Sequence, residues 1–272
     1  MRKRSEKSGG DAEVAQNSAA SLVRGLGILR CFSLGDDSLS NQEIIQRTGL
    51  PKATISRLCT SLVELGYLDY NQQTGRYSLG AATVSLGYSA LSSNAVLHIA
   101  SPMLDELSKS TGTSVALAAR DRKDMVYLGS WRSFSPVALR LVVGSHVPLA
   151  RTAMGMAYLA GLNDAEFDHL LMELPEHDDD LRRARTTARA DYLEKGFVTA
   201  YGTWYSYINS VGIPFRPSDG SPAIAITCGS ITDILSTERC DSFIGPALAE
   251  IGRKLSNSLN NGGSDDEWLP LG

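Results

Sequence analysis

Basic and hydroxyl side chains are concentrated in a short stretch that follows a glycine-containing turn. The residues of this stretch with side chains suited to nucleic-acid contact are Lys52, Ala53, Thr54, Ser56, Arg57 and Thr60. Short or basic side chains at the start of a helix can reach base edges and phosphates in the major groove of DNA. Arg57 could bind guanine or a phosphate, and the Ser and Thr hydroxyls suit phosphate contacts. The stretch therefore predicts a contact with DNA.

Metal-binding and nucleophilic residues are present, but their spacing is not that of a catalytic centre. The four histidines and four cysteines form no HExxH or CxxC pair, and neither GxSxG nor a phosphate-binding glycine loop occurs. No feature of the sequence places Cys228 close enough to His146 for the two to act as nucleophile and general base. Cys228 could line a ligand pocket, report redox state or be a plain core cysteine. We therefore expect no catalytic residue, no metal and no cofactor.

Three predicted helices position the DNA-contacting stretch. Apolar residues recur on one helical face at Leu22, Leu26, Leu29 and Phe32. A second helix begins at Ser40, which forms a capping box with Glu43. The turn 48–50 contains a glycine suited to the left-handed conformation, and the third helix covers residues 51–65.

A predicted β-hairpin follows the third helix. Two strand-like segments, residues 67–70 and 76–79, flank a five-residue loop. Three helices followed by such a hairpin predict a winged helix-turn-helix, in which Ser40 and the wing residue Arg76 are further candidates for contact with DNA. The alternative is a winged helix that binds only proteins.

The second half of the chain changes from helical to strand periodicity. Strands are predicted over residues 114–120, 125–131, 138–143, 197–201, 207–215 and 223–228. Helices are predicted over residues 151–162, 163–174, 179–195 and 242–259. The fold class is therefore α+β, with an antiparallel sheet in the second domain.

Composition and charge fit a globular protein with an acidic surplus. The 272 residues include 26 Lys and Arg against 30 Asp and Glu, a formal net charge of −4. Residues 1–100 hold 10 basic and 8 acidic side chains, a small positive balance that suits a DNA-binding segment. No apolar run approaches the ~18–20 residues that cross a bilayer, and the first residues do not form a secretory signal. We expect a cytoplasmic protein with reduced thiols and no membrane partner.

Several residue strings resemble the IclR (isocitrate-lyase regulator) family of bacterial transcription regulators. Residues 24–29 look like that family's first helix, residues 48–58 its recognition helix, and residues 77–80 the end of its wing. Residues 144–149 and 152–155 resemble the loop and helix start beside its effector pocket. The resemblance implies a C-terminal GAF-like effector-binding domain, and homodimers that commonly pair into homotetramers.

The resemblance also implies domain limits and a ligand site. The expected segments are a flexible arm (1–20), a winged helix-turn-helix domain (21–80), a linker helix (81–99), an effector-binding domain (100–259) and a disordered tail (260–272). In this family the effector is usually a small organic acid held at a helix start. Carried over by position, its site comprises Thr152, Ala153, Met154, Gly155, Ser210, Val211, Ile226 and Cys228.

The sequence departs from the family pattern near this site. Ala150 and Arg151 stand where a histidine-containing sequence is frequent, and Met156 replaces a frequent lysine. An aromatic stretch, residues 202–207 with Trp204 at its centre, stands where an acidic run is common. Residues that could lie near it are Trp131, Phe134 and Met154. These aromatics suggest a larger or flatter ligand, with Trp204 as the ninth candidate effector contact, or else belong to the core or a dimer interface.

Together these features predict a ligand-responsive, sequence-specific DNA-binding regulator of a catabolic operon. Its expected partners are double-stranded operator DNA, a small organic acid that could be aromatic, and further copies of the chain. The alternative is a small-molecule enzyme or a protein-interaction module that uses the winged helix as a scaffold.

Overall fold

The computed structural model describes residues 8–132, 141–174, 178–218 and 220–261. The chain divides between Ser93 and Asn94 into two compact units. Across these described ranges, no helix is both long enough and apolar enough to cross a membrane.

The first unit is a winged helix-turn-helix, as predicted. Its elements are α1 (Ser8–Arg30), β1 (Leu39–Ser40), α2 (Asn41–Thr48), α3 (Lys52–Glu64), β2 (Leu68–Asn71), β3 (Arg76–Leu79) and α4 (Ala81–Ser92). The three strands form an antiparallel sheet in the order β1-β3-β2. Its core consists of Ile28, Leu39, Ile44, Ile55, Cys59, Leu62, Leu68 and Tyr77.

Helix α1 differs from its prediction in two respects. It begins at Ser8, so part of the predicted flexible arm is helical, because this stretch is rich in residues of good helix propensity such as alanine. Of the four predicted inward residues, Leu22 and Leu26 are exposed, whereas Leu29 and Phe32 are partly buried against the core, which Ile28 enters fully. Helices α2 and α3, which α1 contacts, have 8 and 13 residues and are too short to cover every apolar residue of the 23-residue α1.

The second unit is built on a six-stranded antiparallel sheet. Its elements are α5 (Ala95–Thr111), β4 (Ser114–Asp121), β5 (Asp124–Trp131), β6 (His146–Pro148), α6 (Ala153–Ala160), α7 (Asp164–Glu173), α8 (Asp178–Lys195), β7 (Val198–Tyr201), β8 (Ile208–Phe215), β9 (Ile224–Ile231), α9 (Thr237–Arg239), a π-helical turn (Cys240–Ile244) and α10 (Gly245–Asn261). The strand order is β6-β5-β4-β9-β8-β7. The predicted α+β class and antiparallel sheet are confirmed.

Both faces of the large sheet are covered, so the second unit has two cores. On one face, α6, α7 and α8 contribute Met154, Leu159, Phe167, Leu170 and Leu181. On the other face, α5 and α10 contribute Leu104, Leu107, Leu248, Ile251 and Leu255. Strands buried on both faces lack the alternation of polar and apolar residues that marks a half-exposed strand.

Three predicted elements differ from the structure. The segment predicted as the linker helix, 81–99, is two helices, because Asn94 caps α5 by accepting a hydrogen bond from the Leu97 N–H. Of the predicted strand 138–143, residues 138–140 lie outside the described part and residues 141–143 are not a strand; β5 pairs with β6 on the side away from β4. The final helix begins with a π-helical turn and extends to Asn261; the rest of the predicted tail lies outside the described residues.

Candidate functional site

Helix α3 presents a polar surface opposite its buried residues. Ile55, Cys59 and Leu62 face the core. The predicted DNA-contacting residues lie away from it, with Thr54 half-buried and the others exposed: Lys52, Ala53, Ser56, Arg57 and Thr60. The structure therefore brings these six side chains together on one accessible stretch of helix, and their contact with DNA stays a prediction.

The turn before α3 is fixed by local hydrogen bonds. Gly49 has a left-handed backbone with φ 68°, which glycine adopts without the steric cost of a side chain. The Thr48 hydroxyl donates to the Ile44 carbonyl at 2.7 Å and accepts from the Leu50 N–H at 3.3 Å. These contacts set the direction in which α3 leaves α2.

Ser40 and Arg76, the other two predicted DNA contacts, belong to one hydrogen-bond network, which we call the wing clamp (Ser38, Ser40, Glu43 and Arg76). Ser40 caps α2: its N–H and hydroxyl donate to the Glu43 carboxylate at 2.7 and 2.6 Å. Arg76 forms an ion pair with the same carboxylate at 2.9 Å. Its guanidinium also donates to the Ser38 hydroxyl and carbonyl at 2.9 and 2.7 Å. The network joins strand β3 of the wing to the start of α2.

The wing clamp keeps Glu43 ionised. The hydrogen bonds from Ser40 and then from Arg76 lower the pKa of the Glu43 carboxyl to about 2. Arg76 and Ser40 therefore have a structural partner, and a contact of either with DNA stays a prediction.

A cavity of about 470 Å³, including its open mouth, lies on the sheet face covered by α6. Its lining residues are Ser114, Ala116, Tyr127, Leu141, Val147, Thr152, Ala153, Met154, Trp204, Ile208, Ser210, Thr227 and Gly229. None of these described lining residues carries a charged side chain. Hydroxyl groups and aromatic or aliphatic surfaces are therefore what the cavity offers to a ligand.

The start of α6 is pressed onto the sheet beside the cavity. Thr152 caps the helix by accepting from the Gly155 N–H at 3.1 Å, and its hydroxyl donates to the Pro148 carbonyl at 2.8 Å. A Cβ added at Gly155 would lie 2.0 Å from the Leu149 carbonyl oxygen, and one added at Gly212 would lie 2.6 Å from the Ala153 carbonyl oxygen. The two glycines thus allow the first turn of α6 to approach backbone on both sides.

Strand register shows which residues form the cavity floor. Ser114 and Ser210 both pair with Gly229, so these three residues form one row across β4, β9 and β8, which we call the floor row. The neighbouring row contains Ala116, Thr227 and Gly212. Rows of this kind share a face because side chains alternate along each strand.

The neighbouring row is more enclosed than the floor row, because Ala116 and Thr227 are buried whereas Ser114 and Ser210 are partly exposed. The Tyr127 hydroxyl forms a hydrogen bond with Thr227, and burial raises the pKa of this phenol. Tyr127 lies on β5 opposite Ala118, so its side chain crosses β4 to reach Thr227 on β9, while the Ala153 backbone rests on Gly212. A ligand can therefore lie over Gly229, between the two serines.

Aromatic rings form a chain from the cavity to the surface. Trp204 lines the cavity, its ring centroid is 4.6 Å from that of Tyr205, and Tyr205 stacks on Tyr207 at 5.5 Å. Thr203 fastens the same segment to the start of α6 by donating to the Arg151 carbonyl at 2.8 Å. The aromatic stretch noted in the sequence therefore lies at the cavity.

The structure brings five of the nine predicted effector residues to the cavity and places the others elsewhere. The five are Thr152, Ala153, Met154, Trp204 and Ser210. Gly155 packs against Leu149 behind the helix start. Val211, Ile226 and Cys228 lie in the core on the opposite face, which corrects their assignment to the lining.

The error is one of phase along the strands. A shift of one residue moves a side chain to the other face of a sheet. Thr227 and Gly229 line the cavity where Ile226 and Cys228 were predicted, and β9 is buried on both faces, so polarity alternation gave no guide. The missed lining residues are Ser114, Ala116, Tyr127, Leu141, Val147, Ile208, Thr227 and Gly229.

Of the two other residues expected near the ligand, one can be placed. Trp131 packs in the core on the α5 face and donates to the Ser101 hydroxyl at 3.2 Å, so it is not a cavity residue. Phe134 lies outside the described residues. Cys228 is a buried core cysteine whose sulfur is 2.8 Å from the Thr113 hydroxyl, and burial raises the pKa of its thiol to about 11.

Two family models match the chain. The model described as the IclR helix-turn-helix domain matches residues 21–72. The model described as the bacterial transcriptional regulator IclR C-terminal domain matches residues 88–257. The two matches fall on the two compact units.

Individual relatives agree with these matches. The HTH-type transcriptional regulator TsaQ1/TsaQ2 of Comamonas testosteroni is 32% identical over 245 residues, which cover 88% of each chain. The crystal structure of an IclR family transcriptional regulator from Brucella abortus superimposes with a TM-score of 0.75 at 35% identity, covering 88% of this chain and 92% of that one. An IclR homologue from Microbacterium hydrocarbonoxydans, crystallised with 4-hydroxybenzoate, has a TM-score of 0.69 at 19% identity over 88% of this chain and 99% of its own, and shares the fold.

Proposed function

The chain belongs to the IclR family of bacterial transcriptional regulators, and on that basis we propose that it controls a catabolic operon in response to a small aromatic acid. Its N-terminal helix-turn-helix domain binds DNA, and its C-terminal domain is an effector domain. The chain is a regulator and not an enzyme. The observation that carries the effector class is an uncharged cavity with an aromatic wall at a helix start.

An acid is favoured by the position of α6. Thr152, Ala153 and Met154 bring the start of this helix to the cavity. Free N–H groups and the helix dipole both favour a negative charge at such a position. No basic side chain is available among the described lining residues, so the helix start is the group that would hold a carboxylate.

An aromatic ligand is favoured by the remaining walls. Trp204 and Tyr127 offer ring faces, and Leu141, Val147 and Met154 offer aliphatic surface. The size of the ligand is inferred from a relative: an IclR homologue of the same fold was crystallised with 4-hydroxybenzoate, an acid with one ring.

The operator is read by α3 in the major groove. Lys52, Ala53, Thr54, Ser56, Arg57 and Thr60 are the contacts that we propose, with Ser40 and Arg76 near the DNA backbone. One winged helix-turn-helix domain has only a small positive charge and binds DNA weakly, so affinity for the operator depends on two such domains held in one oligomer. Effector binding would shift the population of conformations toward one spacing of the two domains. These events take place in the cytoplasm, where the chromosome is.

Helix α4 supports a homodimer, which could pair further into a tetramer. It has no buried residue, and its apolar side chains Val84, Leu86 and Tyr88 are 72%, 61% and 72% exposed. A helix with apolar side chains on more than one side is stable in water when another protein surface buries those side chains. Leu86→Glu should shift the sedimentation coefficient toward that of the monomer. Met172→Glu, at a residue that is 79% exposed on α7, should leave the sedimentation coefficient unchanged. Equal effects of the two variants would contradict this dimer surface.

The function is tested with the purified full-length chain and DNA from upstream of the neighbouring operon. Binding should be specific and should weaken steeply with salt, and a benzoate-type acid should change it. The same acid should raise the melting temperature of the protein, because a ligand stabilises the state that it binds. Failure of every aromatic acid in both assays would refute the proposed effector class, and failure to bind any such DNA would refute the proposed operon.

A further inference from the structure

The floor row leaves a gap between two hydroxyl groups. Ser114 and Ser210 each pair with Gly229, which has no side chain. Neighbouring strands are about 4.8 Å apart, so the two serine Cα atoms are about 9.6 Å apart. This gap can take one ring with a polar substituent at each end.

These two hydroxyls are also free to bind a ligand. Within the described ranges, the side-chain hydroxyls of Ser114 and Ser210 form no hydrogen bond with another residue. The other hydroxyls of the lining are engaged: Thr152 with Pro148 and Gly155, and Tyr127 with Thr227. A hydroxyl in a largely apolar cavity gains most from a ligand that pairs with it.

The two ends of the floor row have different electrostatic surroundings. Ser210 lies on β8, two residues before Gly212, on which the start of α6 rests. Ser114 lies two strands away on β4, beside Ala116, and no charged side chain of the described lining lies near it. The Ser210 end therefore suits a carboxylate, and the Ser114 end suits an uncharged polar group.

We propose that Ser114 determines specificity by hydrogen-bonding a ring hydroxyl of the effector, at the end opposite its carboxylate. The effector class is then a hydroxylated aromatic acid rather than an unsubstituted one. Serine can both donate to and accept from such a hydroxyl. The inference rests on the proposed function, since it takes the carboxylate to lie at the start of α6.

Calorimetric titration of the full-length protein with benzoate, 3-hydroxybenzoate and 4-hydroxybenzoate tests this assignment. The wild-type protein should bind a hydroxylated acid about tenfold more tightly than benzoate, the size expected for a buried hydrogen bond that benzoate cannot make. Ser114→Ala should abolish this preference, because affinity for the hydroxylated acids should fall to that for benzoate. Ser210→Ala is the matched control at the other end of the row, and it should weaken both classes of acid by a similar factor.

The possible outcomes separate this inference from the proposed function. Equal binding of benzoate and both hydroxylated acids overturns the role of Ser114 and leaves an aromatic acid as effector. An unchanged preference in Ser114→Ala, with the variant's melting temperature near that of the wild type, also overturns it. Binding of none of the three acids refutes the effector class and the inference together.

Discussion

One added methyl group at Gly212 tests how the effector cavity is built. A Cβ there would lie 2.6 Å from the Ala153 carbonyl oxygen and 3.0 Å from Thr227 Cγ2. Relaxing the shorter contact to an ordinary separation of about 3.5 Å requires the start of α6 to move by about 0.9 Å. Interiors are packed too densely to absorb such a shift without cost. We expect Gly212→Ala to lower the free energy of unfolding of the second unit by about 1–3 kcal/mol.

Urea unfolding followed by tryptophan fluorescence measures this change, because Trp131 and Trp204 both lie in the second unit. Gly252→Ala is the matched control: its Cβ would meet only the flexible Cδ1 of Ile213, at 2.8 Å, and alanine is the better helix former. Gly252→Ala should lower the free energy of unfolding by less than Gly212→Ala does. The moved helix start should also weaken binding of an aromatic acid by tenfold or more. An unfolding free energy of Gly212→Ala within about 0.5 kcal/mol of the wild type would refute the close approach of α6 to β8.

Three further predictions concern single groups. Arg57→Ala should weaken specific operator binding by about 1–3 kcal/mol in an anisotropy titration, and unchanged affinity would remove Arg57 from the contact surface. Hydrogen bonds from Ser40, and then from Arg76, lower the pKa of Glu43 from 4.5 to about 2, so the ionised carboxylate stabilises the fold above about pH 4.5, and this stabilisation is lost as the pH falls toward 2. The stability difference between wild type and Glu43→Gln, measured in urea, should narrow below about pH 4.5, and a constant difference would contradict this role of the carboxylate. Burial raises the pKa of Cys228 to about 11 and of Cys240 to about 12. Neither thiol should therefore react with a disulfide reagent at about pH 8 until the protein unfolds. Rapid labelling of either thiol in the folded protein would contradict this expectation.

The DNA-binding unit could be predicted from sequence because its signals are local. The capping box of Ser40 and Glu43 and the left-handed turn at Gly49 are each set by residues within a few positions of one another. The wing clamp could not be predicted in this way, since Arg76 and Glu43 are separated by 33 positions. Only the fold brings the side chains of Arg76 and Glu43 together. The positive charge of Arg76 suggested a contact with DNA and did not indicate this ion pair with Glu43.

The effector cavity was predicted in part. Thr152, Ala153 and Met154 were placed at the cavity by the resemblance to the IclR family, and they line it in the structure. The sheet floor could not be, because β9 is buried on both faces and its sequence does not reveal which side chains point which way. Register, which is a property of three paired strands, decides that Ser114, Gly229 and Ser210 share one row.

The uncharged lining of the cavity has a consequence for how this regulator would respond to the ionic conditions of the cell. Binding of DNA releases counterions and weakens steeply as salt rises. A carboxylate held by helix amides, with no charged side chain among the described lining residues, displaces few ions. Osmotic or ionic stress would therefore shift occupancy of the operator while the effector threshold stays nearly fixed. Salt would thus act on the DNA-binding step of the response more than on the effector-binding step.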